Sequence, residues 1–265
     1  MTALELVYYC FPRLVHAIRV RGNDNYEEHM ELLPELCHSD RLSLDVGAKT
    51  GMYTQRIIEH SRETIAFEPI PVLAHVLRRV FRRRARIERV ALSDEEGSAV
   101  LRTPFNRRGK PRYGLSTIEV ENRLSDPDLG RVREVTVLTK RLDGYAFSGV
   151  GFIKIDVEGH EMCVLRGARE TLIRERPNLL IEAREEHHSG AVTKVREWLE
   201  ALGYGGFFLR NHGLLPIGAF DQDADQRRDG IENFIFIHEE HATVTRDLRV
   251  LVTARLAAGV GSSET

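Results

Sequence analysis

The chain has 265 residues, 42% hydrophobic and 29% charged, which is the balance of a folded globular protein and excludes disordered, collagen-like and disulfide-built classes. With 38 basic against 40 acidic residues the formal net charge is −2, which argues against a general polyanion binder. Three cysteines, Cys10, Cys37 and Cys163, make neither a paired framework nor a CxxC knuckle, and point to a reducing, cytoplasmic setting. Residues 1–40 read as a helical cap. One helix covers Leu4–Val20, a turn falls at Gly22–Asn25, and a second helix capped by Asn25 runs to Cys37. The apolar stretch Leu4–Phe11 is interrupted by Glu5 and ended by Pro12, far short of the roughly 20 apolar residues a span requires. It reads as a helix docked at the domain edge, with a membrane-surface helix as the other reading. No leader with a cleavage site is recognisable.

After Arg41 short apolar runs alternate with longer amphipathic ones, the pattern of βαβ units and a mostly parallel sheet. Expected strands are Leu42–Val46, Thr64–Phe67, Arg86–Ala91, Phe152–Asp156, Leu179–Glu182, Gly206–Arg210 and Asn233–His238. Expected helices are Met52–Ser61, Pro71–Phe81, Glu161–Glu175, Ala191–Leu202 and Thr245–Ala258, with Pro71 well placed at a first helical position. Between Ser98 and Val150 the alternation weakens, and that stretch reads as extra β structure and a loop inserted in the sheet.

Three segments carry chemistry. In LSLDVGAKTGMYT (Leu42–Thr54) an apolar strand ends in Asp45 and a turn follows with Gly47 and Gly51. Gly47 suits a tight turn and close approach to a ligand, and the next helix offers N–H groups at its start. Neither GxGxxG nor the P-loop pattern is present, so nothing calls for a pyrophosphate here. In IAFEPIP (Ile65–Pro71) Glu68 ends the second strand, 23 residues after Asp45. An acid at that point accepts hydrogen bonds from ribose hydroxyls, without separating a nicotinamide dinucleotide from S-adenosylmethionine. In FIKIDVEGHEMCVLRGA (Phe152–Ala168) a buried strand ends at Asp156, and Glu158, His160 and Glu161 crowd the following turn. Lys154 lies within that strand, where a bare ammonium is costly unless paired.

Together with VALSDEEG (Val90–Gly97), TKRLDG (Thr139–Gly144) and PNLLIEA (Pro177–Ala183), these segments come in an order that resembles the FkbM family of S-adenosylmethionine-dependent methyltransferases over roughly residues 40–185. The resemblance implies an α/β, Rossmann-like class I methyltransferase fold: a seven-stranded, mostly parallel sheet in the order 3-2-1-4-5-7-6 with helices on both faces, behind the helical cap. The catalytic domain is then residues 41–240 with an insert at about 98–150, and residues 241–265 form a C-terminal helix and tail. The implied reaction is O-methylation, from S-adenosyl-L-methionine to a hydroxyl of a sugar, glycan or natural product. The implied cofactor residues are Asp45, Gly47, Ala48, Gly51, Glu68 and Pro69, with Asp94 or Ala91–Ser93 (Ser93 included) against the adenine. Lys49-Thr50 departs from the family's usual Asn-Ile or Asn-Thr, and His160 from a frequent alanine.

An alcohol acceptor has to lose its proton, so a base within hydrogen-bond reach is expected. His160 is the first candidate and Asp156 or Glu158 the alternative. Asp156 and Glu182 end neighbouring strands and invite a hard cation shared with Glu158 or Glu186, but the expected site holds no metal. His187-His188, the arginine run from Arg78 to Arg89 and the basic insert Arg107–Arg112 read as solvated; the insert alternatively closes on an acidic acceptor. No nucleic acid and no membrane span are expected as partners. An RNA methyltransferase and a non-catalytic nucleoside-binding protein on the same fold are the competing functional readings.

Overall fold

The computed structural model describes residues 2–21, 27–122, 124, 128–187 and 190–260. Its strands in chain order are β1 (Leu42–Val46), β2 (Glu63–Phe67), β3 (Arg86–Glu88), β4 (Ala91–Leu92), β5 (Gly97–Asn106), β6 (Leu129–Lys140), β7 (Val150–Ile155), β8 (Asn178–Glu182), β9 (Tyr204–Arg210), β10 (Gly213–Pro216) and β11 (Asn233–His238). Its α-helices are α1 (Ala3–Cys10), α2 (Pro12–Arg21), α3 (Leu33–Leu36), α4 (Met52–Ile57), α5 (Pro71–Phe81), α6 (Glu161–Gly167), α7 (Arg169–Glu175), α8 (Ala191–Glu200) and α9 (Ala242–Val260). β1, β7 and β8 are buried along their whole length, as central parallel strands covered on both faces must be.

The main sheet is mostly parallel, as expected, but has one strand more than expected. It has eight strands, in the order β10-β9-β11-β8-β7-β1-β2-β3. The additional strand, β10, folds back on β9 through Asn211 and His212, both left-handed at φ 50° and 57°. That is the geometry of a two-residue hairpin turn, and His212 at the second place, where glycine is usual, hides it from the sequence. The 98–150 region also departs from expectation. Its strands do not enter the main sheet; β5 and β6 pair with each other antiparallel, and β4 joins β6 to make a separate three-stranded sheet. Leu101 and Val137 of that sheet pack with Tyr8 of α1 and Val72, Leu73 and Val76 of α5, which holds it over the end of β2.

Two expected helices are broken. Leu4–Val20 divides at Phe11, because Pro12 has no N–H and its ring would clash with the carbonyl of Tyr8 four residues earlier. Glu161–Glu175 divides at Ala168. There Gly167 comes so close to the loop after β4 that a Cβ would lie 2.0 Å from the Ser93 carbonyl oxygen. The expected second helix of the cap is a short 3-10 turn, Glu28–Leu32, followed by α3. The turn at Gly22–Asn25 lies outside the described residues. α9 runs longer than expected, packing Leu248 and Val252 onto α3 and β11.

Candidate active site

The carboxyl ends of β1, β2, β7 and β8 lie side by side, and each delivers an acid: Asp45 within the end of β1, Glu68 just after β2, Asp156 just after β7, and Glu182 at the end of β8. The turn after β1 is pinned to its neighbours. The N–H groups of Gly47 and Ala48 donate to the Phe67 carbonyl, and the N–H of Lys49 donates to Glu68 Oε2 at 2.8 Å. Gly47 sits at φ +83°, and a Cβ there would lie 1.8 Å from the Asp156 carbonyl oxygen. Glycine is therefore required both for the left-handed backbone and for the contact between β1 and β7. Gly51 shares the left-handed backbone, also at φ +83°, but its Cβ would strike Leu77 and Phe81 of α5 at 2.6 Å, so it serves helix packing and lines neither cavity of the site.

Glu68 is buried. Its Oε1 accepts from the Ile70 N–H at 2.7 Å, yet burial pushes its carboxyl up to about 8. Asp45 is also buried; Thr54 donates to its Oδ2 at 2.5 Å, and its Oδ1 has no hydrogen-bond partner among the described residues. Burial raises this carboxyl too.

Asp156, Glu158 and Glu182 present oxygens that all lie within 4.8 Å of one another, a spacing a divalent cation would accept. Lysine occupies the position instead. Lys49 Nζ lies 3.1 Å from Asp156 Oδ1 and 2.9 Å from Glu158 Oε1, and Lys154 Nζ lies 2.9 Å from Asp156 Oδ2. Lys154 also sits over the Tyr53 ring at 4.5 Å, so the lysine inside the strand is fully partnered. Burial opposes ionisation of Asp156, but Lys154 and Lys49 outweigh it and hold the carboxyl well below the usual range. Burial and the adjacent Asp156 push Glu182 the other way, up to about 8, although Arg184 pairs with it at 2.7 Å. Glu158 is raised by burial. Its backbone is left-handed at φ 55° and is clamped from the insert, because Thr117 and Asn122 side chains both donate to its carbonyl.

His160 is held by two partners. Its Nε2 lies 2.9 Å from Ser93 Oγ and its Nδ1 lies 3.0 Å from Glu119 Oε2, so both ring nitrogens are engaged. Asp94 faces away, bound by Arg166 at 2.8 Å. His187, expected in solvent, is buried instead: the turn after Arg184 brings its Nε2 to 3.5 Å from Glu158 Oε2. His188 lies outside the described residues.

Two cavities meet at this strand edge. A narrow, mostly apolar slot is walled by Gly47, Glu68, Pro69, Val90–Leu92 and, from the insert, Leu101 and Ser116–Ile118; His160 lines it, while Ser93 and Asp94 do not. A more polar cleft of about 420 Å³ is walled by Asp45, Ala48, Tyr53, Glu182 and the Lys110–Gly114 turn of the insert. Gly47, Lys49, Tyr113 and Asp156 belong to both. Of the expected residues, Asp45, Gly47, Ala48, Glu68, Pro69, Asp156, Glu158 and His160 come together around the two cavities. Glu119, Thr117 and Tyr113 were not foreseen; they lie in a segment whose sequence carries no motif.

Residues 45–205 match the profile of the Methyltransferase FkbM domain. The chain belongs to this family. The match begins at Asp45 and takes in every acid of the candidate site, while α1, α2 and α9 lie outside it. The crystal structure of methyltransferase FkbM from Methylobacillus flagellatus KT superposes with a TM-score of 0.50 at 15% identity, covering 76% of this chain and 44% of that chain. This FkbM chain thus spans less than half of that protein, and the likeness is one of fold. An O-methyltransferase from Bacillus cereus solved with SAH is 13% identical, with a TM-score of 0.45 over 89% of this chain and 90% of that one. The B. subtilis tRNA methyltransferase TrmK is 10% identical, with a TM-score of 0.41 over 80% and 65% of the two chains. No curated protein matches at a significant level.

Proposed function

We propose that this chain transfers a methyl group from S-adenosyl-L-methionine to a hydroxyl of a small-molecule, sugar or glycan acceptor. The observation that carries the reading is the pairing of a narrow, mostly apolar slot with a larger polar cleft across Gly47, Lys49 and Asp156. The residues present fit the cofactor. Each oxygen of Glu68 accepts one backbone N–H and keeps a second lone pair for a ribose hydroxyl. The partnerless Asp45 Oδ1 borders the cleft, where it matches the ammonium end of the molecule. Val90, Ala91, Leu92 and Ile118 offer an apolar bed for the adenine, in place of Ser93 and Asp94. When bound, the cofactor supplies a methyl on a sulfonium, a leaving group already activated. The protein then has to align the acceptor, exclude water and take one proton. The cleft is roomy enough for a small ligand. We assign the proton to Glu182, which borders the cleft, rather than to His160, which does not and whose nitrogens are both engaged.

Titration calorimetry with S-adenosylhomocysteine tests the cofactor. Glu68→Ala is expected to weaken binding by about 1–3 kcal/mol, the cost of leaving buried hydrogen-bonding groups without their partner. Wild-type affinity in that variant would remove the ribose assignment. The acceptor class is tested by the mass of the product that gains a labelled methyl in extracts. Turnover is expected to survive excess EDTA, because Lys49 and Lys154 already neutralise the carboxylates a metal would need. Loss of activity restored by Mg²⁺ would overturn that point.

A further inference from the structure

The α1–α2 pair turns one face inward and leaves the other apolar. Inward, Tyr8, Val15 and His16 are buried. His16 meets Phe81 of α5 edge-on at 5.2 Å, and its Nδ1 lies 2.9 Å from the Thr50 carbonyl oxygen. Outward, Leu6, Val7, Phe11, Leu14, Ile18 and Val20 are exposed, and Phe11, Leu14 and Ile18 are 59%, 56% and 62% accessible. Leu14 and Ile18, four residues apart, share one face of α2, and Phe11 stands at the break just before it. A soluble surface does not gather that many large apolar side chains without a partner.

The charge beside the stripe says which partner. Phe81, in contact with α2, leads directly into exposed Arg82, Arg83 and Arg84, with Arg78 and Arg79 one turn earlier and Arg13 between Phe11 and Leu14. Across residues 2–20 and 71–84 the only acid is Glu5, which is buried and paired with Arg133. In a chain of net charge −2 this face is therefore locally all cationic. Two copies meeting on it about a two-fold axis would bring like charges together. A nucleic acid would leave the apolar stripe uncovered.

We propose that the outer face of α1–α2 and the arginine end of α5 dock on an anionic lipid bilayer. The apolar stripe enters the boundary between headgroups and acyl chains, and the arginines meet the headgroup charge. Among the described residues no helix is long and apolar enough to cross a membrane, so the attachment is peripheral. α1 also carries Tyr8, a wall residue of the polar cleft, so the docked face is the outer side of that wall.

The test is co-sedimentation of the full chain with vesicles of phosphatidylcholine alone and with about one-third phosphatidylserine, at low and high salt. The protein is expected to pellet with the anionic vesicles at low salt and to be released by salt. Arg82→Ala/Arg83→Ala/Arg84→Ala is expected to lower partitioning about fivefold per arginine, on the order of a hundredfold together. Leu14→Ser/Ile18→Ser is expected to lower it on the order of tenfold or more. Both variants change only exposed side chains and are expected to keep the wild-type melting temperature. Equal pelleting with both vesicle types, pelleting with neither, or wild-type partitioning of both variants overturns the proposal. So does a dimer by light scattering that Leu14→Ser/Ile18→Ser dissociates, because the face would then cover a second copy.

Discussion

Replacing Glu182 with glutamine is expected to slow the chemical step by about 10²–10⁴-fold, the usual worth of a positioned base. Glutamine keeps the size of the side chain and one oxygen for Arg184, so the fold and cofactor affinity are expected to stay close to wild type. The pH profile identifies the group. Burial and Asp156 hold the Glu182 carboxyl up at about 8, so it is mostly protonated at neutral pH. A base has to be ionised to work. The wild-type single-turnover rate should therefore rise tenfold per pH unit up to about 8 and level off above it. Glu182→Gln should be slow and flat across that range. His160→Ala should change the rate by much less, because Ser93 and Glu119 already occupy both ring nitrogens. If His160→Ala flattens the profile and Glu182→Gln keeps it, the assignment is reversed.

What the sequence made legible follows the range of the interactions involved. β1, α5 and β11 appear with the expected bounds, because their apolar pattern and the Pro71 start are local signals. The convergence of Asp45, Glu68 and Asp156 was equally legible, since each ends a strand and strand ends of a parallel sheet share one edge. The partner of Lys154 was foreseen as a necessity, and it is Asp156, two residues on and just past the end of the same strand. The insert was legible only as an irregular stretch. Its sheet is fixed by pairing across more than twenty residues and by contacts to α1 and α5. Nothing local marks Thr117 or Asn122 as the clamps on the Glu158 carbonyl.

Glu5 illustrates the same limit. In sequence it interrupts an apolar run. In the structure it caps its own helix through Thr2 and pairs with Arg133, far along the chain on β6. The position of His160 was read correctly as a helix start, but its role could not be, because its two partners come from other parts of the chain. Lys49 was visible only as a departure from the family's usual asparagine. Its importance depends on a left-handed backbone, φ 48°, that aims its N–H at Glu68 while its ammonium reaches Asp156 and Glu158.

That geometry makes Lys49 the counterion of the site, and Lys49→Asn should expose it as such. Removing one partner of a buried ion pair costs about 3–5 kcal/mol, because the other charge is left uncompensated. Here the carboxylates are almost fully buried while the lysine side chain keeps 31% exposure, so the lower end of that range is expected. At roughly 2–4 °C per kcal/mol for a chain of this size, the melting temperature should fall by on the order of 10 °C. The deficit should be largest at neutral pH and shrink in acid. Asp156, held low by Lys154 and Lys49 against its burial, loses its charge only there, and the lysine then has less to neutralise. The variant should also gain a property the wild type lacks. With the ammonium gone, the oxygens of Asp156, Glu158 and Glu182 still lie within 4.8 Å of one another, the arrangement a divalent cation needs. Mg²⁺ or Ca²⁺ should then raise the melting temperature of Lys49→Asn, since any ligand that binds only the folded state stabilises it, and EDTA should reverse the gain. Wild-type protein should respond to neither. A variant that melts like the wild type and ignores both cations would mean that Lys154 and Arg184 alone neutralise the cluster.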